Sequence, residues 1–160
     1  MIVNIALLTV TDTRTFDNDK SGAILVEKIK EANHNLIDRK ICKDNKKDIV
    51  LILKEWINKD DIDVVITTGG TGLTGRDITP EAVSEIAEKQ IPGFGEIFRN
   101  ISLKTVGTSA IQSRACAVLA KGKYIFALPG SSGGVTDAWE GILKYQLDIN
   151  HKPCNFVELF

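Results

Sequence analysis

A chain of 160 residues, 43% hydrophobic and 26% charged, has the balance of an ordinary globular protein and the length for a single domain spanning 1–160 around a sizeable core. Twenty Lys and Arg stand against 21 Asp and Glu, a formal net charge of −1, so no global positive field points to nucleic acid or to an anionic membrane surface. Cys42, Cys116 and Cys154 are odd in number and far apart, which reads as reduced thiols in a cytoplasmic protein, and no apolar run approaches the roughly 20 residues of a membrane span.

The first apolar run, Ile5–Val10, has the continuity of a strand buried on both faces, and no basic leader segment precedes it. Ser21–Ala32 places Leu25, Ile29 and Ala32 at helical spacing. Leu36–Cys42 is a weaker strand, and Asp48–Asn58 sets Ile49, Leu53, Trp56 and Ile57 on one side of a second helix. Val64–Thr68 is another buried strand. Thr79-Pro80-Glu81 starts a helix, with Thr79 as N-cap and Pro80 in the first turn, its positive end toward the same loops. Gly95-Glu96 looks like a loop and helix start, and Ser109, Ser113 and Arg114 lie in a polar segment ahead of an Ala-rich helix. Tyr124–Leu128 is the third strong strand, and Thr136–Leu147 is a last helix carrying Trp139, Ile142 and Leu143. Strands alternating with helices predict an α/β fold: one three-layer domain around a mostly parallel sheet.

Each strong strand runs into a small, polar or glycine-rich loop: Thr11-Asp12-Thr13-Arg14, Gly69-Gly70-Thr71-Gly72, and Pro129-Gly130-Ser131-Ser132. Open α/β sheets bind ligands outside the carboxyl ends of their strands, so three such loops predict one pocket. The central loop nearly matches two phosphate motifs. Gly70-Thr71-Gly72-Leu73-Thr74-Gly75 reads G-x-G-x-x-G, but Arg76-Asp77-Ile78-Thr79 intervenes before the helix, which argues against a dinucleotide site. Gly70 and Gly75 also have P-loop spacing, with Arg76-Asp77 in place of Lys-Ser/Thr. There Arg76 suits phosphate and Asp77 suits a hard metal ion. A glycine-rich turn with Arg76 and Asp77 paired at the surface explains the glycines alone; it does not explain Thr, Arg, Asp and Thr packed so densely.

These residues resemble the MoaB/MogA family of molybdopterin-binding proteins. The matching text is T-T-G-G-T-G-L-T-G-R-D-I-T-P-E-A at Thr67–Ala82, I-P-G-F-G-E-I-F-R at Ile91–Arg99, G-T-S-A-I-Q-S-R-A at Gly107–Ala115 and L-P-G-S at Leu128–Ser131. The opening L-T-V-T-D-T-R and D-K-S-G fit as well, and K-P-C-N-F at Lys152–Phe156 looks like the MoaB branch. The resemblance runs in order along essentially the whole chain. It implies a molybdopterin-binding fold, assembled as trimers or hexamers, with other proteins of the pathway as possible partners. It implies transfer of AMP from ATP to the terminal phosphate of molybdopterin with Mg²⁺, releasing pyrophosphate.

By the same resemblance, the two acidic positions that matter for turnover and hold the metal fall on Asp77 and, best matched, Asp44. Gly69, Gly70, Thr71, Gly72, Arg76, Thr79, Ser109, Ser113, Arg114, Pro129, Gly130 and Ser131 would surround substrate and phosphates. Asp12, Arg14, Asp19 and Ser21 line the nucleotide end or, for Asp19 and Ser21, cap the next helix. The last loop reads P-G-S-S-G-G-V and lacks the second proline of MogA-type loops. The alternative is therefore a non-catalytic molybdopterin-binding or scaffold protein of the same pathway. Trp56 and Trp139 are expected in the core or at subunit contacts. Phe94 and Phe98 are expected to serve packing or an interface, and together with the Phe156–Phe160 tail they look excessive for a monomer surface, which points to a homo-oligomer.

Overall fold

A computed structural model describes residues 1–160 and shows six strands in one sheet with helices on both faces. Along the chain run β1 (Asn4–Val10), α1 (Lys20–Glu31), β2 (Asn35–Cys42), α2 (Lys46–Ile57), β3 (Val64–Thr68), α3 (Thr79–Ile86), β4 (Lys89–Gln90), α4 (Pro92–Val106), a 3-10 segment (Gly107–Gln112), β5 (Cys116–Ala120) and β6 (Lys123–Leu128). Then α5 (Ser132–Ala138) continues through a π turn (Trp139–Leu143) into α6 (Lys144–Gln146). Strand order is β2-β1-β3-β6-β5-β4; β2, β1, β3 and β6 are parallel, and β5 is antiparallel to both its neighbours. After β2 the chain returns to the far side of β1, so the strand order reverses between β1 and β3. Their carboxyl ends form the crevice where open α/β sheets take ligands.

The continuous apolar strands are buried on both faces, as doubly covered parallel strands must be. Ile5, Leu7, Ile66 and Phe126 pack with Leu25 and Ile29 of α1, Phe94 and Phe98 of α4, and Trp139. Ala6, Leu8, Val65 and Ile125 pack on the other face with Ile49, Leu53 and Trp56 of α2 and Val83 of α3. Trp56 and Trp139 are therefore core residues. Phe94 and Phe98 are buried at 3% and 1% exposure within one chain, so of the two expected roles packing holds, and they add little apolar area to the surface.

Two expected elements differ. The segment after Arg114 is the strand β5, not an Ala-rich helix: Cys116–Ala120 pairs with β6, and register overrides the helix preference of its alanines. The expected loop near Gly95 is the first turn of α4, which starts at Pro92 despite two glycines.

Asp19 ties the sheet to the first helix. It is 2% exposed and caps α1 by accepting from the Gly22 amide at 3.0 Å. It also accepts from Thr9 Oγ1 at 2.6 Å and from Arg39 Nη2 at 3.0 Å. Burial alone would push its carboxyl up, but the Thr9 hydroxyl, the Gly22 amide and the Arg39 guanidinium outweigh it and hold the pKa below the usual 3.8. Because the folded value lies below the unfolded one, this contribution is present at neutral pH and is lost as pH falls below about 3.9. Asp19→Ala is expected to cost about 3 kcal/mol in urea unfolding at pH 7, since it strands Arg39 and uncaps α1. Asp19→Asn, which still caps, should lose less and show a shallower acid limb; wild-type stability in Asp19→Ala would contradict this role.

Candidate functional site

The loops leaving β1, β3 and β6 enclose a cavity of about 610 Å³. Its walls are Thr9–Arg14 and Ser21 on one side, Asp44 from the β2–α2 connection, Thr68–Gly72, Thr74, Arg76 and Asp77 in the centre, Gln112 and Ser113 at one end, and Pro129–Ser131 at the other. Val10 alone is apolar. A pocket of this size with almost wholly polar walls suits a polar or charged ligand.

Gly69 makes the convergence of the three loops possible. Its φ is +101°, and a Cβ there would lie 2.2 Å from the Val10 carbonyl oxygen. Its amide donates to Leu128 O at 3.0 Å, so the ends of β1, β3 and β6 meet at one residue. Gly70, at φ +70°, accepts from the Thr79 amide, and a Cβ there would meet Thr79 Oγ1 at 2.3 Å. Arg14 Nη1 reaches Gly130 O at 3.4 Å across the cavity mouth.

The acidic residues face one another. Asp12 Oδ1 accepts from the Asp44 amide at 3.0 Å, and Asp12 Oδ2 lies 3.7 Å from Arg76 Nη1. No donor from another residue reaches the Asp44 carboxylate. Burial first, then the charges of Asp12 and Asp77, push its pKa above the ordinary 3.8, against a smaller opposing pull from Arg76. Asp77 is held differently. Its Oδ2 accepts from the Thr74 amide at 2.8 Å and the Thr74 hydroxyl at 2.7 Å. Burial opposes ionisation, but these donors, the Gly72 amide and the Arg114 charge keep its carboxyl below the usual range. Arg76 and Asp77 are thus not paired with each other.

Asp12, Arg14, Ser21, Asp44, Gly69, Gly70, Thr71, Gly72, Arg76, Asp77, Ser113, Pro129, Gly130 and Ser131 all line the one cavity. Four expected residues do not. Asp19 is the buried helix cap. Thr79 is fully buried and is not an N-cap: its hydroxyl donates to Gly69 O at 2.8 Å, and Ile78 precedes the helix without a side-chain cap. The first turn of α3 therefore braces the glycine loop from behind. Ser109 sits exposed in the 3-10 segment outside the cavity. Arg114 points away into the glycine loop, with Nε donating to Gly72 O at 2.8 Å and Nη2 to Asp77 O at 2.9 Å. Thr9, Thr11, Thr13, Thr68, Thr74 and Gln112 line the cavity without having been singled out. For the threonines the signal was position, since each lies in or next to a strand-end loop already identified; Gln112, at the end of the 3-10 segment, carried no such signal.

A six-stranded, mostly parallel α/β sheet with a glycine-lined polar pocket at its switch point defines a class of ligand-binding proteins, and comparison with known sequences gives the family. The family described as "Probable molybdopterin binding domain" matches residues 6–148. Molybdenum cofactor biosynthesis protein B of Escherichia coli (strain K12) is 45% identical over 152 residues, covering 95% of this chain and 89% of that protein. A crystal structure of a molybdenum cofactor biosynthesis protein B superposes with a TM-score of 0.89 at 44% identity, covering 92% of each chain. The tungsten cofactor synthesizing protein MoaB from Pyrococcus furiosus does so with a TM-score of 0.80 at 35% identity, covering 89% of this chain and 91% of that one. The chain belongs to the MoaB/MogA family of molybdopterin-binding domains, in its molybdenum cofactor biosynthesis protein B branch.

The raised pKa of Asp44 makes its ionised form a cost to folding, paid from pH values above the ordinary aspartate value of about 3.9 upward. Asp44→Asn should therefore melt about 2–4 °C above the wild type at pH 7 in metal-free buffer, the shift expected for about 1 kcal/mol of relieved strain. The gap should close at pH 3, where Asp44 is protonated in both folded and unfolded chains. Equal melting temperatures at pH 7 would show that Asp44 is not crowded.

Proposed function

We propose that this chain works in molybdenum cofactor biosynthesis in the cytoplasm, binding molybdopterin and transferring AMP from ATP to its terminal phosphate with Mg²⁺. The observation that carries this reading is the Asp44 carboxylate, partly buried at the cavity wall, without a donor from another residue, and close to the charges of Asp12 and Asp77 in a cavity also lined by the glycine loop. That charge arrangement asks for a cation and offers backbone N–H groups to anions in the same space.

The donor set fits Mg²⁺, which takes one or two carboxylates and completes its shell with water and substrate oxygens. Asp44 and Asp77 would hold it; no group of three or more metal-ligating side chains closes around one point. Bound there, Mg²⁺ supplies charge neutralisation between two phosphate-bearing substrates. The protein's own groups do the rest. The Gly70 and Thr71 amides and the Ser113 and Ser131 hydroxyls bind phosphate oxygens, and Arg76 and Arg14 offset charge at the mouth. An oxygen of the pterin phosphate attacks the α-phosphorus of ATP, the α–β phosphoanhydride bond breaks, and pyrophosphate leaves. No protein nucleophile is needed, because the substrate phosphate attacks.

The three free thiols suit a reducing compartment. Self-association is part of the same reading, supported by exposed Ile97, Leu103, Val106 and Ile111 along α4 and the 3-10 segment.

The test combines purified protein, molybdopterin, ATP and Mg²⁺, with AMP-pterin separated by chromatography. The wild type should form it. Asp77→Asn keeps an oxygen for the Thr74 amide, so its circular dichroism and pterin affinity should stay near wild type while turnover falls by about two orders of magnitude or more. Wild-type protein that binds molybdopterin without forming AMP-pterin would establish the non-catalytic alternative, and full turnover in Asp77→Asn would remove Asp77 from the reaction.

A further inference from the structure

Arg114 has the sequence context of a phosphate ligand, but the structure gives its guanidinium three other partners. Nε donates to Gly72 O, Nη2 to Asp77 O, and Nη1 pairs with the Glu81 carboxylate on the first turn of α3. Its own amide donates to Thr71 O at 2.9 Å. One residue thus grips the glycine loop at its start and its end and ties both to the following helix. Between those points the loop has little else to hold it. Leu73, Thr74, Gly75 and Arg76 are exposed, and a Cβ at Gly75 would touch nothing within 4 Å. Its remaining bonds are internal, from Thr74 to the Asp77 carboxylate and from the Asp77 amide to Thr74 O, apart from the exposed Arg76–Asp12 pair.

We infer that Arg114, braced by Glu81, is a positioning residue that fixes the Gly72–Asp77 loop so that the Asp77 carboxylate and the loop amides face the cavity, and that it is not itself a phosphate ligand. The guanidinium is suited to this because its planar fork serves three acceptors in fixed directions, whereas an ammonium is a point charge on a flexible stem. Glu81 completes the clamp by holding the third edge of the fork, so the loop's shape depends on a pair outside the pocket. The kinetic consequence rests on the proposed AMP transfer; the structural consequence does not.

The experiment compares wild type, Arg114→Lys and Glu81→Gln by amide hydrogen exchange, Mg²⁺-pyrophosphate binding and AMP-transfer kinetics. Arg114→Lys keeps the charge and loses the fork. Its Thr74 and Asp77 amides should exchange about tenfold faster or more, while sheet amides such as Ile66 and Phe126 stay protected. kcat should fall about 10- to 100-fold with the molybdopterin KM within about threefold, as expected when a reacting group is misplaced and ground-state binding is kept. Pyrophosphate affinity should also stay within about threefold, since the guanidinium is committed to Gly72, Asp77 and Glu81 rather than to phosphate. Glu81→Gln, which still accepts from the guanidinium, should show the same exchange pattern at roughly a third of the size or less. Unchanged loop exchange in Arg114→Lys would overturn the clamp, and a loss of pyrophosphate affinity of about tenfold or more, the mark of a direct phosphate ligand, would overturn the inference whatever the exchange pattern. If Arg114→Lys lost sheet protection as well, Glu81→Gln would decide: loop-confined exchange supports the clamp, and wild-type exchange refutes it. A wild type without AMP transfer would count against the proposed function alone, with the exchange contrast still deciding the role of Arg114.

Discussion

The absence of a side chain at Gly69 is the constraint on which the site depends. Three parallel strands end around that residue. Its amide bonds the end of β6, its α-carbon lies against the carbonyl that ends β1, and its own carbonyl takes the Thr79 hydroxyl. Any Cβ would drive the β1 and β3 loops apart, because the obstructing atom is backbone oxygen and has nowhere to go. Gly130 repeats the approach from the other side, where a Cβ would sit 3.2 Å from the Gly69 α-carbon. The cavity is the space left when three loops are drawn to one point.

Around that point, the structure accepts local repulsion where a cation and phosphates are expected, and pays close attention to polar satisfaction elsewhere. Asp44 is left without a donor from another residue, while Asp19, next to the pocket residue Ser21, is buried with four. The two aspartates therefore shift in opposite directions although both lie near the same strand ends. Asp19 joins α1 to β1 and β2, and its network continues through Ser21 to Thr68, whose hydroxyl also donates to Pro129 O at 2.8 Å. The chain stabilises the scaffold with one carboxylate and withholds stabilisation from another, a division common where function competes with folding.

The alternation of apolar strands and amphipathic helices was legible because parallel strands buried on both faces carry long hydrophobic runs. The pocket was legible because each run ends in glycine or small polar residues. The antiparallel end of the sheet was not. Cys116–Ala120 holds three alanines or short residues that read equally well as helix, and only pairing with β6 decides their state. The directions of the Arg114 and Thr79 side chains were illegible for a related reason. Sequence places each beside the pocket, but whether a side chain points into the cavity or behind it depends on partners such as Gly72, 42 residues away from Arg114. Sequence left Phe94 and Phe98 between packing and an interface, because only the tertiary approach at Gly95, where a Cβ would meet Ala115 O at 2.7 Å, shows how closely the start of α4 packs.

The central claim is that three strand-end loops form one phosphate-binding site. Titration of ¹⁵N-labelled protein with ATP and Mg²⁺, followed by amide chemical shifts, tests it most directly. The account predicts that Gly69–Gly72, Thr13, Arg14, Gly130 and Ser131 move together along one binding isotherm. Shifts confined to a single loop, or centred instead on the apolar groove lined by Phe94, Ile97 and Tyr145, would contradict it.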